Sequence, residues 1–117
     1  MDPDAKAKRL RIYISSTDKF EHKPLYEIIV YSARKHGIKG VTVLKGIMGY
    51  GSSSEIYNDK LWEISEKTPL VIEIVDEPHE IDSFILTIKP VFENLGKGHL
   101  ITVEDTTVIL HKTGIKK

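Results

Sequence analysis

The hydrophobic period of this chain switches from two to about 3.6 and back, twice. That alternation constrains the fold more than any single motif, because period two marks a half-buried strand and period 3.6 an amphipathic helix. Residues 9 to 15, Arg-Leu-Arg-Ile-Tyr-Ile-Ser, alternate strictly: Leu10, Ile12 and Ile14 share one face, Arg9, Arg11 and Tyr13 the other. Pro24 then opens a helical stripe of Leu25, Ile28, Ile29, Ser32, Ala33 and His36, which Gly37 closes at the C′ position. Val41 to Leu44 read as a second strand. Leu70 to Val75, interrupted only by Glu73, reads as a central one. Ile81, Phe84, Ile85, Ile88, Val91, Phe92 and Leu95 make the best amphipathic helix, with Pro90 expected to kink it or shift its end. Leu100 to Val103 and Thr107 to Leu110 read as two short strands around a Glu104-Asp105 turn.

The resulting order is strand, helix, strand, long loop, strand, helix, strand. It predicts an α+β fold, the ferredoxin-like βαββαβ sandwich, with an extra C-terminal strand. A length of 117 residues predicts one domain over 1–117. Residues 1–7 are expected to be loosely held, and 49–68 to form a long excursion between two strands. Two helices on one face leave the other face of the sheet open, and Tyr13 on it suits contact with another subunit.

Composition removes several function classes. Without cysteine there is neither a disulfide nor a thiolate metal site. No apolar run approaches the ~18 residues that span a bilayer, and Met1 to Lys8 is too polar for a signal peptide. Seventeen basic and seventeen acidic residues balance, so no global field draws the chain to nucleic acid or anionic lipid. These features predict a cytoplasmic protein without membrane insertion.

The chemistry-bearing candidates are two glycine-rich segments. Gly46, Gly49 and Gly51 follow the second strand, where glycine serves positive φ or close approach to the main chain. Their N–H groups suit an anion such as phosphate, and a plain turn with a bulge suits the same residues. No Gly-Lys-Ser/Thr follows, and the spacing is not that of a dinucleotide fingerprint. Gly96-Lys97-Gly98-His99 is the second segment, and a helix C-cap explains Gly96 alone. The five histidines show no paired ligand spacing and read as surface or loop residues. Ser52, Ser53 and Ser54 lack a nucleophile elbow and read as loop or cap serines. Leu61, Trp62 and Ile64 read as packing back onto the sheet or a neighbouring subunit, with docking to a target as the alternative. Asp76 and Glu77 read as a helix start. A hydrolase of phosphate or acyl esters on this sandwich has one plausible set, Lys45, Lys97 and His99, which needs a shared cleft.

Gly40-Val41-Thr42-Val43 followed by Met48-Gly49-Tyr50-Gly51 resembles the strand and T-loop entry of PII (GlnB-like) signalling proteins. Gly96-Lys97-Gly98-His99 running into Leu100-Ile101-Thr102-Val103-Glu104-Asp105 resembles their second signature. The element order agrees over most of the chain, and the Gly-Ile-Met-Gly-Tyr-Gly run is similar to the PII-like branch of unknown function. The resemblance implies a homotrimeric regulator, not an enzyme. It implies ADP, ATP or AMP, or a similar anion, bound between subunits, and a protein partner such as a membrane transporter reached through 49–68. By position, Thr42, Gly49, Tyr50 and Gly51 would lie at the T-loop base, and Gly96, Lys97, Gly98 and His99 in the phosphate-side loop. Tyr57 is the candidate counterpart of the tyrosine that PII proteins uridylylate. This chain has His99 where the family carries lysine, and Thr107 to Leu110 where it supplies arginines. Fewer cations weaken triphosphate binding, so a diphosphate, a monophosphate, another anion or no ligand at all stays open. Metal-tolerance relatives of the superfold make divalent-metal binding a further alternative, though it needs a His/carboxylate cluster that this sequence lacks.

Overall fold

A computed structural model describes residues 1–51, 56–58 and 67–115. Strand β1 (Ala5–Ser15) runs into a small hairpin of β2 (Lys19–Phe20) and β3 (Lys23–Pro24), followed by α1 (Leu25–His36) and β4 (Thr42–Lys45). Strands β5 (Met48–Tyr50) and β6 (Ile56–Asn58) pair antiparallel; β7 (Pro69–Asp76), α2 (Pro78–Glu93) and β8 (Leu100–Val108) complete the chain. The main sheet is antiparallel with order β4-β7-β1-β8. That is the ferredoxin-like order, with the first and third main strands at the centre and the second and fourth at the edges.

The alternation in β1 holds as read. Leu10, Ile12 and Ile14 are buried, as are Leu70, Ile72 and Ile74 of β7. They pack beneath Leu25, Ile29 and Ala33 of α1 and Ile81, Phe84 and Ile88 of α2. Gly37 caps α1 at φ 96°, and the Ile38 N–H returns to the Ala33 carbonyl at 3.0 Å. Left-handed φ at C′ is the condition under which glycine costs least. α2 continues through Pro90. Leu86 and Pro90 are both exposed, so the donor missing at Pro90 is lost on the water side.

Two expectations are corrected, and one choice between alternatives is decided. β1 begins at Ala5, so residues 5–7 belong to the sheet: Ala7 is buried and lies opposite Thr106. The C-terminal half of the fourth strand is not an extra strand, and Glu104-Asp105 is not a turn. β8 runs straight through both, because β1 presents Arg9 opposite Glu104 and Lys8 opposite Asp105. Cross-strand pairs of opposite charge favour continuing the ladder there. Gly46, Gly49 and Gly51 do not adopt positive φ. Gly46 answers to close approach instead: a Cβ there would sit 2.7 Å from Pro69 Cγ, and its N–H is already given to the Pro69 carbonyl at 2.7 Å. Ser52 to Ser54, Leu61, Trp62, Ile64 and the Tyr57 side chain lie outside the described residues.

The face of the sheet away from the helices is open and ordered in rungs. Leu44, Val71, Tyr13 and Leu100 stand side by side across all four strands. Leu44 is 49% exposed, Tyr13 37% and Leu100 56%. The next rung is Thr42, Glu73, Arg11 and Thr102, and beyond it Val75, Arg9 and Glu104. Arg11 bonds Glu73 at 2.9 Å, and both Arg9 and Arg11 reach Glu104, at 2.7 and 3.3 Å.

Candidate functional site

The end of β1 and the start of β8 lie beside one another, and the loops around them form a cleft of about 270 Å³. Thr17, Asp18 and Lys19 make one wall, Leu95, Gly96, Lys97 and His99 the other. The first wall is set by local backbone bonding. Asp18 N–H bonds the Ser15 carbonyl, and Leu25 N–H the Asp18 carbonyl. Between them the β2–β3 hairpin closes on a two-residue loop, with Glu21 at φ 50° and His22 at φ 69°. Two consecutive positive φ angles define a type I′ hairpin turn, here built without glycine or asparagine.

Asp18 is the centre of the cleft, although its significance is not visible in the sequence. Its carboxylate is buried; Oδ2 accepts from the Ser15 N–H at 2.9 Å and from His99 Nε2 at 3.0 Å. Lys97 Nζ stands 3.6 Å from Oδ1. His99 is a loop histidine, as read, but not a surface one: its side chain is 6% exposed and meets Phe92 edge-on, ring centres 5.2 Å apart. A buried carboxylate needs such donors, since desolvation otherwise expels its charge. The only sequence signal was a break after a strand, Ser-Ser-Thr-Asp. The partners that give it meaning lie about eighty residues away.

Gly98 stands between Lys97 and His99 in the same loop, whereas Thr42, Gly49, Tyr50 and Gly51 lie elsewhere. Thr42 is on β4, at the edge of the sheet opposite β8, and lines a second cleft of about 310 Å³ with Lys39, Gly40, Glu73 and His111. Gly49 and Tyr50 are in β5, where Gly49 pairs with Tyr57 and an added Cβ would meet Pro69 only at ordinary van der Waals distance. Gly51 follows with open space about it, and Tyr50 is 72% exposed. With strands about 4.8 Å apart, β4 and β8 are separated by about 14 Å. One chain therefore does not bring Thr42 and Lys97 onto one ligand. Lys45 is also on β4, so within one chain the set Lys45, Lys97 and His99 does not share a cleft, and a single subunit does not form the hydrolase arrangement.

At the far end of β7, Asp76 is fully buried. It accepts the Lys39 N–H and Lys39 Nζ at 3.0 Å each and the Glu77 N–H at 2.7 Å. Burial alone pushes this carboxyl up. The two backbone donors and the Lys39 ammonium outweigh it and hold the group below its ordinary value. Asp76 thus ties the loop before β4 to the start of α2, more than a helix-start role. Among the described residues no group of three or more His or carboxylate side chains is placed to hold a metal ion.

The family described as "Uncharacterized ACR, COG1993" (DUF190) matches residues 7–108. A UPF0166 protein of Aquifex aeolicus is 41% identical over 105 residues, covering 89% of this chain and 94% of that one. Among solved structures, CPII of Thiomonas intermedia K12, a nitrogen regulatory PII-like protein bound to ADP, AMP and bicarbonate, superposes with a TM-score of 0.68. It shares 20% identity over 91% of each chain. A GlnK–ATP complex from B. subtilis gives a TM-score of 0.51 at 18% identity, over 85% of this chain and 82% of that one. The chain belongs to the DUF190 (UPF0166) family and carries the PII-like fold.

Proposed function

We propose that this protein is a PII-like regulator, a homotrimer that takes an adenine nucleotide or a similar anion between subunits. Segment 49–68 then carries the signal to a protein partner. The observation that carries this reading is the apolar rung on the open face. It ends at Leu44 on one sheet edge and at Leu100 on the other. Leu44 lies just before Gly46 and the β5 segment, and Leu100 directly follows His99. A contact that joins one copy's β4 edge to the next copy's β8 edge uses two different patches, so it is heterologous, and with a rotation of about 120° per subunit it closes as a three-membered ring. Such a ring brings Thr42, Gly49, Tyr50 and Gly51 of one subunit toward Gly96, Lys97, Gly98 and His99 of the next.

Support for a nucleotide comes from the structural neighbours, which are described as bound to ADP and AMP or to ATP. ADP or AMP suits this chain better than ATP, because Lys97 and Lys19 are the cations in the β8 cleft and Asp18 opposes them. Among the described residues no helix is long and apolar enough to cross a membrane. A membrane transporter enters only as the partner class. The test combines light scattering with calorimetric titration against ATP, ADP and AMP. A mass three times that of the chain, with heat from one of the three, is the expected result. A monomeric mass, or no heat at ~1 mM nucleotide, about −4 kcal/mol, overturns the reading.

A further inference from the structure

We propose that Asp18 is a built-in counter-anion of the Gly96–His99 cleft, holding Lys97 until a phosphate displaces it and so limiting the charge of the ligand. This rests on the reading of that cleft as the phosphate side of an anion site.

The two oxygens of Asp18 are held very differently. Oδ2 is fixed by the fold through Ser15 N–H and His99 Nε2. Among the described residues Oδ1 meets only Lys97 Nζ, at 3.6 Å, longer than a tight charge-assisted bond. Lys97 is 60% exposed, whereas the Asp18 side chain is 5% exposed. One partner is therefore anchored and the other is a mobile ammonium, the same ammonium that a phosphate in this cleft would need. Lys19 and Lys97 bring two positive charges to the cleft and Asp18 takes back one. A phosphate that wins Lys97 leaves the buried carboxylate beside it, because Oδ2 stays pinned. That repulsion rises with every charge on the ligand. The same carboxylate therefore penalises ATP more than ADP, and ADP more than AMP.

The experiment is calorimetric titration of AMP, ADP and ATP into the full chain, Asp18→Asn, Lys97→Ala and the double variant, at one ionic strength. Asn keeps an oxygen for the Ser15 N–H and removes the charge. Asp18→Asn is expected to bind ADP about tenfold tighter. The gain grows from AMP to ATP as the repulsion is removed, and the share of it that comes from freeing Lys97 disappears when Lys97 is also replaced. Where the full chain binds but Asp18→Asn is no tighter, the inference fails and the nucleotide reading stands. Equal gains for AMP and ATP, or equal gains with and without Lys97, overturn the inference too. Silence from both the full chain and Asp18→Asn removes the nucleotide reading and this inference together. Lys97→Ala alone gives a second arm independent of the folding of Asp18→Asn. A cation already neutralised costs less than about fivefold when removed, the scale of an exposed ion pair. A larger loss overturns the proposal.

Discussion

Asp76→Asn tests the electrostatic anchor on which β7, α2 and the loop before β4 converge. Oδ1 of Asp76 accepts Lys39 Nζ and Glu77 N–H, and Oδ2 accepts Lys39 N–H. Asparagine has one oxygen for these three donors. With its oxygen at the Oδ1 position, its NH₂ faces the Lys39 N–H, donor against donor. Reversed, it abandons Glu77 N–H and Lys39 Nζ. Either way at least one backbone donor is orphaned at a site with no solvent, about 1–3 kcal/mol. The surviving bonds lose their charge assistance, so the total is about 2–4 kcal/mol. Measured by urea unfolding at one protein concentration and pH 7, that is a large share of an ordinary domain's stability. The pH dependence has a definite sign. The Asp76 carboxyl is held below its ordinary value in the fold, so its contribution is present above about pH 4 and is lost as pH falls further. The gap between parent and Asp76→Asn therefore narrows on acidification. Lys39, raised by its hydrogen bond to Asp76, contributes below about pH 10 and loses that contribution as pH rises through its elevated value. A gap under about 0.5 kcal/mol at pH 7, or one that stays constant into acid, refutes this account.

Gly46→Ala is expected to destabilise by about 1–3 kcal/mol, because its Cβ would press Pro69 Cγ at 2.7 Å where the Gly46 N–H is bonded. A thermal shift within error of zero counts against close approach as the reason for glycine. His22→Gly should stabilise by about 0.5–1 kcal/mol by relieving a positive φ in the β2–β3 turn; a lower midpoint contradicts the turn assignment. Phe84→Ala removes a fully buried ring of α2 that meets His36 of α1 and belongs to the core, and should cost about 3–5 kcal/mol. Denaturant titration of Phe84→Ala giving under about 1 kcal/mol would misplace the core.

Most of the fold was legible because its signals are local and periodic. The Leu10-Ile12-Ile14 alternation, the Leu25-to-Ala33 stripe and Gly37 each declare a role within one turn or one strand of themselves. What escaped is decided by partners far along the chain. Ala5-Lys6-Ala7 looks like a tail until Val108, Thr107 and Thr106 pair with it. Glu104-Asp105 looks like a turn until Arg9 and Lys8 stand opposite. The candidate site follows the same rule. Gly96, Lys97 and His99 were readable as a loop, yet Asp18, which organises them, is a polar residue among polar residues in the sequence. The opposite error arose at Gly46, where three glycines suggested free N–H groups. The Pro69 carbonyl consumes the first of them, which the sequence does not record.

The open face explains why Tyr13 sits in a strand otherwise alternating with arginine. Arg9 and Arg11 on that face are matched by Glu104 and Glu73, so the charged rungs are satisfied within one chain. Among the described residues the rung of Leu44, Val71, Tyr13 and Leu100 has no such internal answer, and both of its ends are about half exposed. Tyrosine suits a surface that is wet in the free chain and dry in an assembly, since its ring buries apolar area while its hydroxyl keeps a polar partner. Tyr13→Asp places a charge in the middle of that rung and leaves the Arg11–Glu73 pair intact. If the rung is the contact between copies, burying an unpaired carboxylate there costs several kcal/mol per interface. The assembly then dissociates to monomers at micromolar concentration while circular dichroism stays that of the folded chain. Light scattering on Tyr13→Asp that still gives the parent's assembled mass would move the contact off this face. It would also remove the geometric reason for joining the β4 and β8 edges around one ligand.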